Sequence, residues 1–210
     1  GVGISVVDGM MRTTNIMLGG KKVVVIGYGY CGQGVAQRLR GLGAHVTVVD
    51  TEPMAQLEAH LEGFNVAEKE EALVGADIVL TVTGRRNVIL EEHFELMKDG
   101  VLLCNAGAFE FEIDLSYLRD AAASIRNIRT DVERISMSDG KNYFLLGRGN
   151  SINLAGGDGN PIEVMDLGLA LQALSLERLA LGTDTLNNEP QTVPYDIEQT
   201  ALKAAVKAWI

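Results

Sequence analysis

Short apolar runs alternate with amphipathic stretches through the first half of the chain. Apolar runs at residues 22–26 and 46–49 are each followed by a helical pattern, at residues 33–42 and 54–62. Two further apolar runs and the helical stretch between them lie at residues 77–82, 90–97 and 101–104. Runs this short and this apolar are typical of strands buried on both faces of a sheet. Strand alternating with helix predicts an α/β fold with a Rossmann-like, doubly wound parallel sheet.

Helices are predicted on both sides of this region. Apolar side chains recur at helical spacing over residues 6–17, and Gly19-Gly20 is expected to end that helix. Two strands at residues 134–137 and 142–146 flank Asp139-Gly140, a strong hairpin-turn signal. An apolar helix over residues 162–181, a polar linker with Pro190 and Pro194, and a last helix follow. These boundaries predict an N-terminal helix (1–20), a Rossmann domain (21–150) and a C-terminal helical segment with a tail (151–210).

A glycine-rich loop, Gly27-Tyr28-Gly29-Tyr30-Cys31-Gly32, lies between the first predicted strand and the next helix. It has the pattern G-x-G-x-x-G, in which the glycines permit a tight turn, backbone approach to a pyrophosphate and close helix packing. The helix start would offer free N–H groups to the phosphates. Asp50 follows the second strand, 23 residues after Gly27. A carboxylate there accepts hydrogen bonds from ribose hydroxyls and repels a 2′-phosphate, so the pattern favours NAD over NADP.

Two simpler interpretations accompany this loop. The glycines alone would also suit a tight strand-to-helix turn that binds nothing, but the strand, helix and acidic residue in register favour a cofactor site. Cys31 would suit a redox thiol, although a small residue packed at the helix start is the preferred interpretation.

The chain resembles the NAD-binding domain of the adenosylhomocysteinase (S-adenosyl-L-homocysteine hydrolase) family, in its archaeal and thermophilic branch. The matching segments are 8–15 (DGMMRTTN), 27–34 (GYGYCGQG), 40–44 (RGLGA), 81–84 (TVTG), 93–100 (HFELMKDG), 104–107 (CNAG) and 152–154 (INL). The resemblance implies tightly held NAD, which in this family oxidises the 3′-hydroxyl of the substrate ribose so that homocysteine is eliminated and water added. It also implies the cofactor-contacting residues, which are Gly27, Tyr28, Gly29, Tyr30, Cys31, Gly32, Asp50, Thr51, Thr83, Gly84, Asn87, Asn105, Ala106, Gly107 and Asn153.

Departures from the family pattern leave the catalytic residues unknown. Two family histidines are replaced by Ala108 and Asn160, and a lysine and an aspartate by Met11 and Asn15. Most of the family's substrate domain would precede Gly1, and its C-terminal extension would follow Ile210. The resemblance therefore implies a domain that lacks hydrolase activity alone and has a separate catalytic or substrate domain as its partner. Two alternatives are a free-standing NAD-dependent oxidoreductase and a non-catalytic NAD-binding assembly module.

The composition of the chain limits the classes of partner that it is expected to bind. Eighteen basic and 28 acidic residues give a net charge of −10, which argues against nucleic acid and anionic membranes. Two cysteines in 210 residues indicate a reducing, cytoplasmic location. The helix at residues 162–181 is apolar on nearly every side but carries charges, which makes it a poor membrane span. We expect it to form a homo-oligomer interface rather than to be wedged in the chain's own core.

The remaining polar candidates have simple structural interpretations. His45, His60 and His93 lack partners at metal-ligand spacing, so no metal site is predicted and they are assigned to the surface or to helices. Glu110, Glu112 and Asp114 are interpreted as solvated carboxylates rather than a general base. Asp158 is expected to cap the helix that begins at residue 162 rather than to contact the cofactor. Arg85 and Arg86 are expected to be solvated rather than to bind an anionic group.

Overall fold

The computed structural model describes residues 1–182, 187 and 189–210. These residues form two compact units, Gly1–Gly159 and Asn160–Ile210. No helix within the described ranges combines the length and the apolar character that crossing a membrane requires.

An eight-stranded sheet lies at the centre of the first unit, all of whose residues are described. Its strands are β1 Lys22–Ile26, β2 His45–Val49, β3 Asn65–Val66, β4 Ile78–Thr81, β5 Val101–Asn105, β6 Ala122–Arg129, β7 Val132–Met137 and β8 Asn142–Leu146. Their spatial order is β3-β2-β1-β4-β5-β8-β7-β6. The first six strands in that order pair in parallel, and β7 and β6 add an antiparallel edge. The predicted Rossmann-like fold is therefore confirmed, with a mixed rather than wholly parallel sheet.

Helices cover both faces of this sheet. They are α1 Val2–Thr14, α2 Tyr30–Gly41, α3 Pro53–Leu61, α4 Lys69–Leu73, α5 Glu91–Leu96, α6 Leu115–Asp120 and α7 Ile152–Ala155. Alternate residues of β1 point to opposite faces, with Val23 and Val25 in one apolar cluster and Val24 and Ile26 in the other. Because helices cover both of its faces, the centre of the sheet is built from strands that are mostly apolar on both sides, as the sequence pattern of β1, β4 and β5 predicts.

The first helix ends earlier than expected. It stops at Thr14, and Asn15 takes the left-handed conformation (φ 54°), with its N–H donating to Met11 O at 2.7 Å. Asparagine adopts this conformation more readily than most residues and so ends helices as glycine does. Gly19-Gly20 instead forms the turn that leads into β1, where Gly20 donates to Gly43 O at 2.9 Å.

The second unit consists of α8 Ile162–Leu181 and α9 Tyr195–Trp209. None of the 20 residues of α8 is buried within the chain as described. Its N-cap is Pro161, so the expected cap by Asp158 is wrong. The Asp158 carboxylate instead accepts a hydrogen bond from Arg12 at 2.6 Å in the first unit. Part of the predicted polar linker, residues 183–186 and 188, lies outside the described residues.

Candidate functional site

The carboxyl ends of the parallel strands lie along one edge of the sheet, which is where open α/β sheets form the crevice that binds their ligands. β2 lies on one side of β1 and β4 on the other, so the chain changes direction across the sheet between β1 and β4. Ligands of open α/β sheets bind outside the strand ends at such a switch point. Backbone bonds continue the ladder beyond the strands, from Val82 N–H to Ile26 O (2.9 Å) and from Ala106 N–H to Thr81 O (2.7 Å).

Each glycine of the loop after β1 meets a different steric demand. Gly27 has a φ of +106°, which glycine adopts without strain. A Cβ on Gly32 would lie 2.0 Å from the carbonyl oxygen of Gly27, so α2 packs against the turn too closely for any side chain. A Cβ on Gly29 would have no neighbour within 4 Å, so this backbone is open to the crevice. Gly27 thus permits the tight turn, Gly32 permits the close packing of α2, and Gly29 leaves its backbone open to the approach of a ligand.

Helix α2 begins directly behind this open backbone. Its N-cap is Gly29, no side chain caps it, and its first turn holds no acidic residue. The first N–H groups of a helix lack intrahelical partners and carry the positive end of the helix dipole. The loop and helix start together form a cradle suited to a phosphate group.

The side chains of the loop differ in burial. The Tyr28 ring is buried edge-on against Phe64, and its hydroxyl donates to Glu62 at 3.1 Å. Burial, assisted by the Glu62 carboxylate, raises the pKa of Tyr28 well above its ordinary value. Tyr30 is 95% exposed. Cys31 is also exposed, so the expectation that it packs at the helix start is wrong, because the buried position belongs to Gly32.

Asp50 lies beside the glycine turn. Its Oδ2 accepts the Tyr28 N–H at 2.6 Å, and its Oδ1 accepts the Glu52 N–H at 2.9 Å. These bonds fix the half-buried carboxylate at the tip of β2, and each oxygen retains a lone pair for another donor. Thr51, the next residue, is exposed.

The loop after β4 is built around Glu112, which contradicts the interpretation of this residue as a solvated carboxylate. Glu112 is 0% exposed, and its carboxylate accepts hydrogen bonds from Thr83 and Gly84. Arg85 and Arg86 are exposed as expected, with the Arg86 guanidinium 4.2 Å from the centre of the Phe111 ring. Asn87 is also exposed and has a left-handed backbone (φ 58°).

The loop after β5 is held by Asn105, whose side chain is fully buried. Its Oδ1 accepts bonds from Thr81 Oγ1 (3.2 Å) and Gly107 N–H (2.8 Å). Its Nδ2 donates to Phe109 O (2.7 Å) and Gly149 O (2.9 Å). With both side-chain atoms engaged inside the protein, Asn105 shapes the loop that presents Ala106 and Gly107.

Asn153 lies in α7, which follows β8 along the same edge. Its Oδ1 accepts a hydrogen bond from Ser151 Oγ at 2.7 Å. Ser151 in turn forms an isolated parallel β-bridge with Asn105 at the end of β5. The candidate residues from five strand ends are thus gathered along one edge of the sheet.

The other polar candidates lie away from this edge or have structural roles. Glu110 is exposed, and Asp114 caps α6 by accepting the Tyr117 N–H at 3.0 Å.

His45 and His60 are exposed, whereas His93 is buried on α5 and accepts the Leu90 N–H at 2.9 Å. Burial, and next the charge of Lys69, lowers the pKa of His93. Among the described residues, no three histidine, cysteine or carboxylate side chains are grouped as metal ligands.

Comparison with solved structures agrees with the fold. A dipicolinate synthase chain from Bacillus subtilis matches 85% of this chain and 54% of its own length, with a TM-score of 0.57 at 17% identity. The dipicolinate synthase chain from Bacillus halodurans matches 57% of this chain and 43% of its own length, with a TM-score of 0.52 at 19% identity. At these identities the likeness concerns the fold alone.

Comparison with protein families and curated relatives goes further. The family model described as "S-adenosyl-L-homocysteine hydrolase, NAD binding domain" matches residues 1–159. Adenosylhomocysteinase of Nostoc is 42% identical over 99% of this chain and 49% of its own length. S-inosyl-L-homocysteine hydrolase of Methanopyrus kandleri is 48% identical over 95% of this chain and 47% of its own. The chain spans about half the length of these relatives, and with its open glycine loop and neighbouring carboxylate it belongs to the adenosylhomocysteinase family as an NAD-binding domain.

Proposed function

We propose that the crevice at the carboxyl edge of the sheet holds NAD through the residues gathered there. The observation that carries this proposal is the open backbone of Gly29, which lies in front of the uncapped start of α2 and next to the Asp50 carboxylate. A pyrophosphate bound at Gly29 would receive N–H groups from the helix start. The free lone pairs of Asp50 would receive the two hydroxyls of the adenosine ribose.

The remaining candidates are proposed to line the cofactor further along the crevice. Thr83, Gly84 and Asn87 would flank the adenosine half and the bridge, and Tyr30, Cys31 and Thr51 would border the loop. Ala106 and Gly107 would lie at the nicotinamide end, positioned by Asn105, and Asn153 would meet the carboxamide. When bound, NAD supplies reversible hydride acceptance at its nicotinamide ring. The chain's own part in that chemistry is to orient the ring and to exclude water.

We propose that this domain serves the reversible hydrolysis of an S-nucleosyl-homocysteine thioether. Relatives of similar identity carry the names adenosylhomocysteinase and S-inosyl-L-homocysteine hydrolase, so the proposal covers a substrate with either purine base. Because the chain spans half of their length, we propose that a second, substrate-binding part is required for this reaction.

The test is a binding titration of the whole chain with NAD and with NADP. We expect NAD to bind and to raise the melting temperature, and NADP to bind at least about tenfold more weakly because its 2′-phosphate meets the Asp50 carboxylate. Incubation of the same protein with S-adenosylhomocysteine or S-inosylhomocysteine should release no homocysteine thiol. Absence of any NAD binding would remove the proposed function, and release of thiol would remove the need for a second part.

We further propose that α8 joins two copies of the chain. Ile162, Leu169 and Leu176 are spaced seven residues apart and are 79%, 54% and 65% exposed, so they form one apolar stripe. An apolar stripe of this length on an acidic protein is unfavourable in water and suits a self-complementary interface.

Charge reversal of this stripe tests the interface. Leu169→Glu combined with Leu176→Glu should convert an oligomer into a monomer by light scattering coupled to gel filtration, because two charges would be buried on each copy. Leu57→Glu, at a leucine of α3 that is 51% exposed, is the matched control and should leave the oligomer intact. A wild-type chain that is monomeric at every concentration tested would contradict the proposal.

A further inference from the structure

The loops that follow β4 and β5 are joined by one buried carboxylate. Glu112 Oε2 accepts the Thr83 N–H at 3.0 Å and the Thr83 hydroxyl at 2.8 Å, and Glu112 Oε1 accepts the Gly84 N–H at 2.7 Å. The side chain is 0% exposed. Every hydrogen bond it makes is one it accepts, which is the bonding of a carboxylate rather than of a carboxylic acid.

The backbone of Glu112 ties the far end of the same loop. Its carbonyl oxygen accepts the N–H groups of Val88 (2.8 Å) and Ile89 (2.9 Å). The segment from Thr83 to Ile89 is therefore fixed at both ends to a single residue. Removal of its side chain would free one end while leaving the other in place.

The loop after β5 rests against the same carboxylate. A Cβ on Gly107 would lie 1.7 Å from Glu112 Oε1 and 3.2 Å from Asn105 Oδ1, so a side chain at this position would displace the Glu112 carboxylate from its hydrogen bonds. Glu112 therefore sets how closely the Gly107 backbone approaches the Thr83 loop. The loop after β4 is proposed to flank the adenosine half and the bridge of the dinucleotide, and the loop after β5 its nicotinamide end.

The orientation of the bonds has a consequence for recognition. The N–H groups of Thr83 and Gly84 point inward to Glu112, and the Thr83 hydroxyl also accepts the Arg85 N–H at 3.0 Å. These donors are thus not available to cofactor phosphates, which leaves that role to the Gly29 loop and the start of α2. Within the first unit, which is described throughout, Glu112 forms no ion pair, so its charge is balanced only by these dipoles.

We infer that Glu112 is a positioning residue for the dinucleotide, and that its buried charge favours the oxidised cofactor. It fixes the β4 and β5 loops at the spacing that admits the cofactor, and it places a negative charge in the wall near the nicotinamide end. Oxidised nicotinamide carries a positive charge that the reduced ring lacks, so this charge stabilises NAD+ relative to NADH. The inference rests on the proposed cofactor site.

The test compares the affinities of the whole chain and its variants for NAD+ and NADH. Glu112→Gln presents an amide to two N–H donors and removes the charge, so NAD+ affinity should fall by about tenfold. The preference for NAD+ over NADH should fall by about threefold. Thr83→Val removes one hydroxyl donor but keeps the charge, so it should weaken both forms equally.

Asp77→Asn is the matched control. The Asp77 carboxylate accepts the Lys22 N–H at 2.8 Å, but it lies at the amino edge of the sheet, opposite the crevice. This variant should leave both affinities and their ratio unchanged.

A folded Glu112→Gln protein with wild-type affinities, or with equal losses for the two forms, would overturn the inference. If Glu112→Gln does not fold, undiminished NAD+ binding by Thr83→Val overturns it. Failure of the wild-type chain to bind NAD+ would instead overturn the proposed function.

Discussion

Gly29→Ala should lower the affinity for NAD by about 10- to 100-fold while leaving the stability of the free chain nearly unchanged. In the free protein the added methyl meets no atom within 4 Å, and the backbone (φ −70°, ψ −173°) is one that alanine adopts without strain. In the complex the same methyl would occupy the space proposed for the pyrophosphate. Overpacking of this kind costs about 1–3 kcal/mol, and 1.4 kcal/mol corresponds to tenfold in affinity.

Calorimetric titration with NAD and thermal unfolding without it separate the two effects. Gly41→Ala is the matched control, because Gly41 ends the same helix and its added methyl would also meet no neighbour. That variant should bind NAD as the wild type does. Undiminished NAD binding by Gly29→Ala would show that the cofactor does not approach this backbone, and the proposed site would then be wrong.

The parts of the site that sequence predicts are those whose signal is local. The glycine loop and Asp50 follow successive strands, and the run of apolar residues in each strand fixes where it ends. Since parallel strands align their carboxyl ends, the two features must lie together, and the bond from Tyr28 N–H to Asp50 Oδ2 at 2.6 Å joins them. Strand pattern and topology are sufficient for this much of the site.

The parts that sequence reasoning missed depend on contacts between distant segments. Glu112 is polar and follows a loop, which suggests exposure to solvent, yet it is buried because Thr83 and Gly84 supply hydrogen-bond donors from 29 and 28 residues away, respectively. Asp158 is diverted from a helix cap by Arg12, 146 residues away in the sequence. The close approach of Gly107 to Glu112 Oε1 is likewise a contact of the folded chain, so the sequence alone does not mark Glu112 as buried.

Strand β6 was missed for a different reason. Residues 122–129 lie at the open edge of the sheet, and all but the first are exposed, so their side chains show neither an apolar run nor alternation. Their strand conformation comes from pairing with β7, which the sequence of β6 alone does not encode.

Gly32→Ala should lower the stability of the free chain, whereas Gly29→Ala should lower only the affinity for NAD, although the two glycines are only three residues apart. A methyl on Gly32 would lie 2.0 Å from Gly27 O and 2.8 Å from Gly27 C, and both are backbone atoms that no rotamer change can move. Helix α2 must then shift away from β1, against a core that includes Val35 and Leu39. We expect a loss of about 3 kcal/mol and a fall of about 10 °C in melting temperature.

Thermal and urea unfolding of Gly32→Ala in the absence of NAD measure this loss directly. Gly41→Ala again serves as the control, since it adds the same methyl to the same helix without a contact. The comparison separates two uses of glycine in one loop: Gly32 is required by the folded protein itself, whereas Gly29 is required only when a ligand approaches. A Gly32→Ala protein as stable as the wild type would mean that α2 is free to move from the turn, and the cradle at its start would then not be preformed.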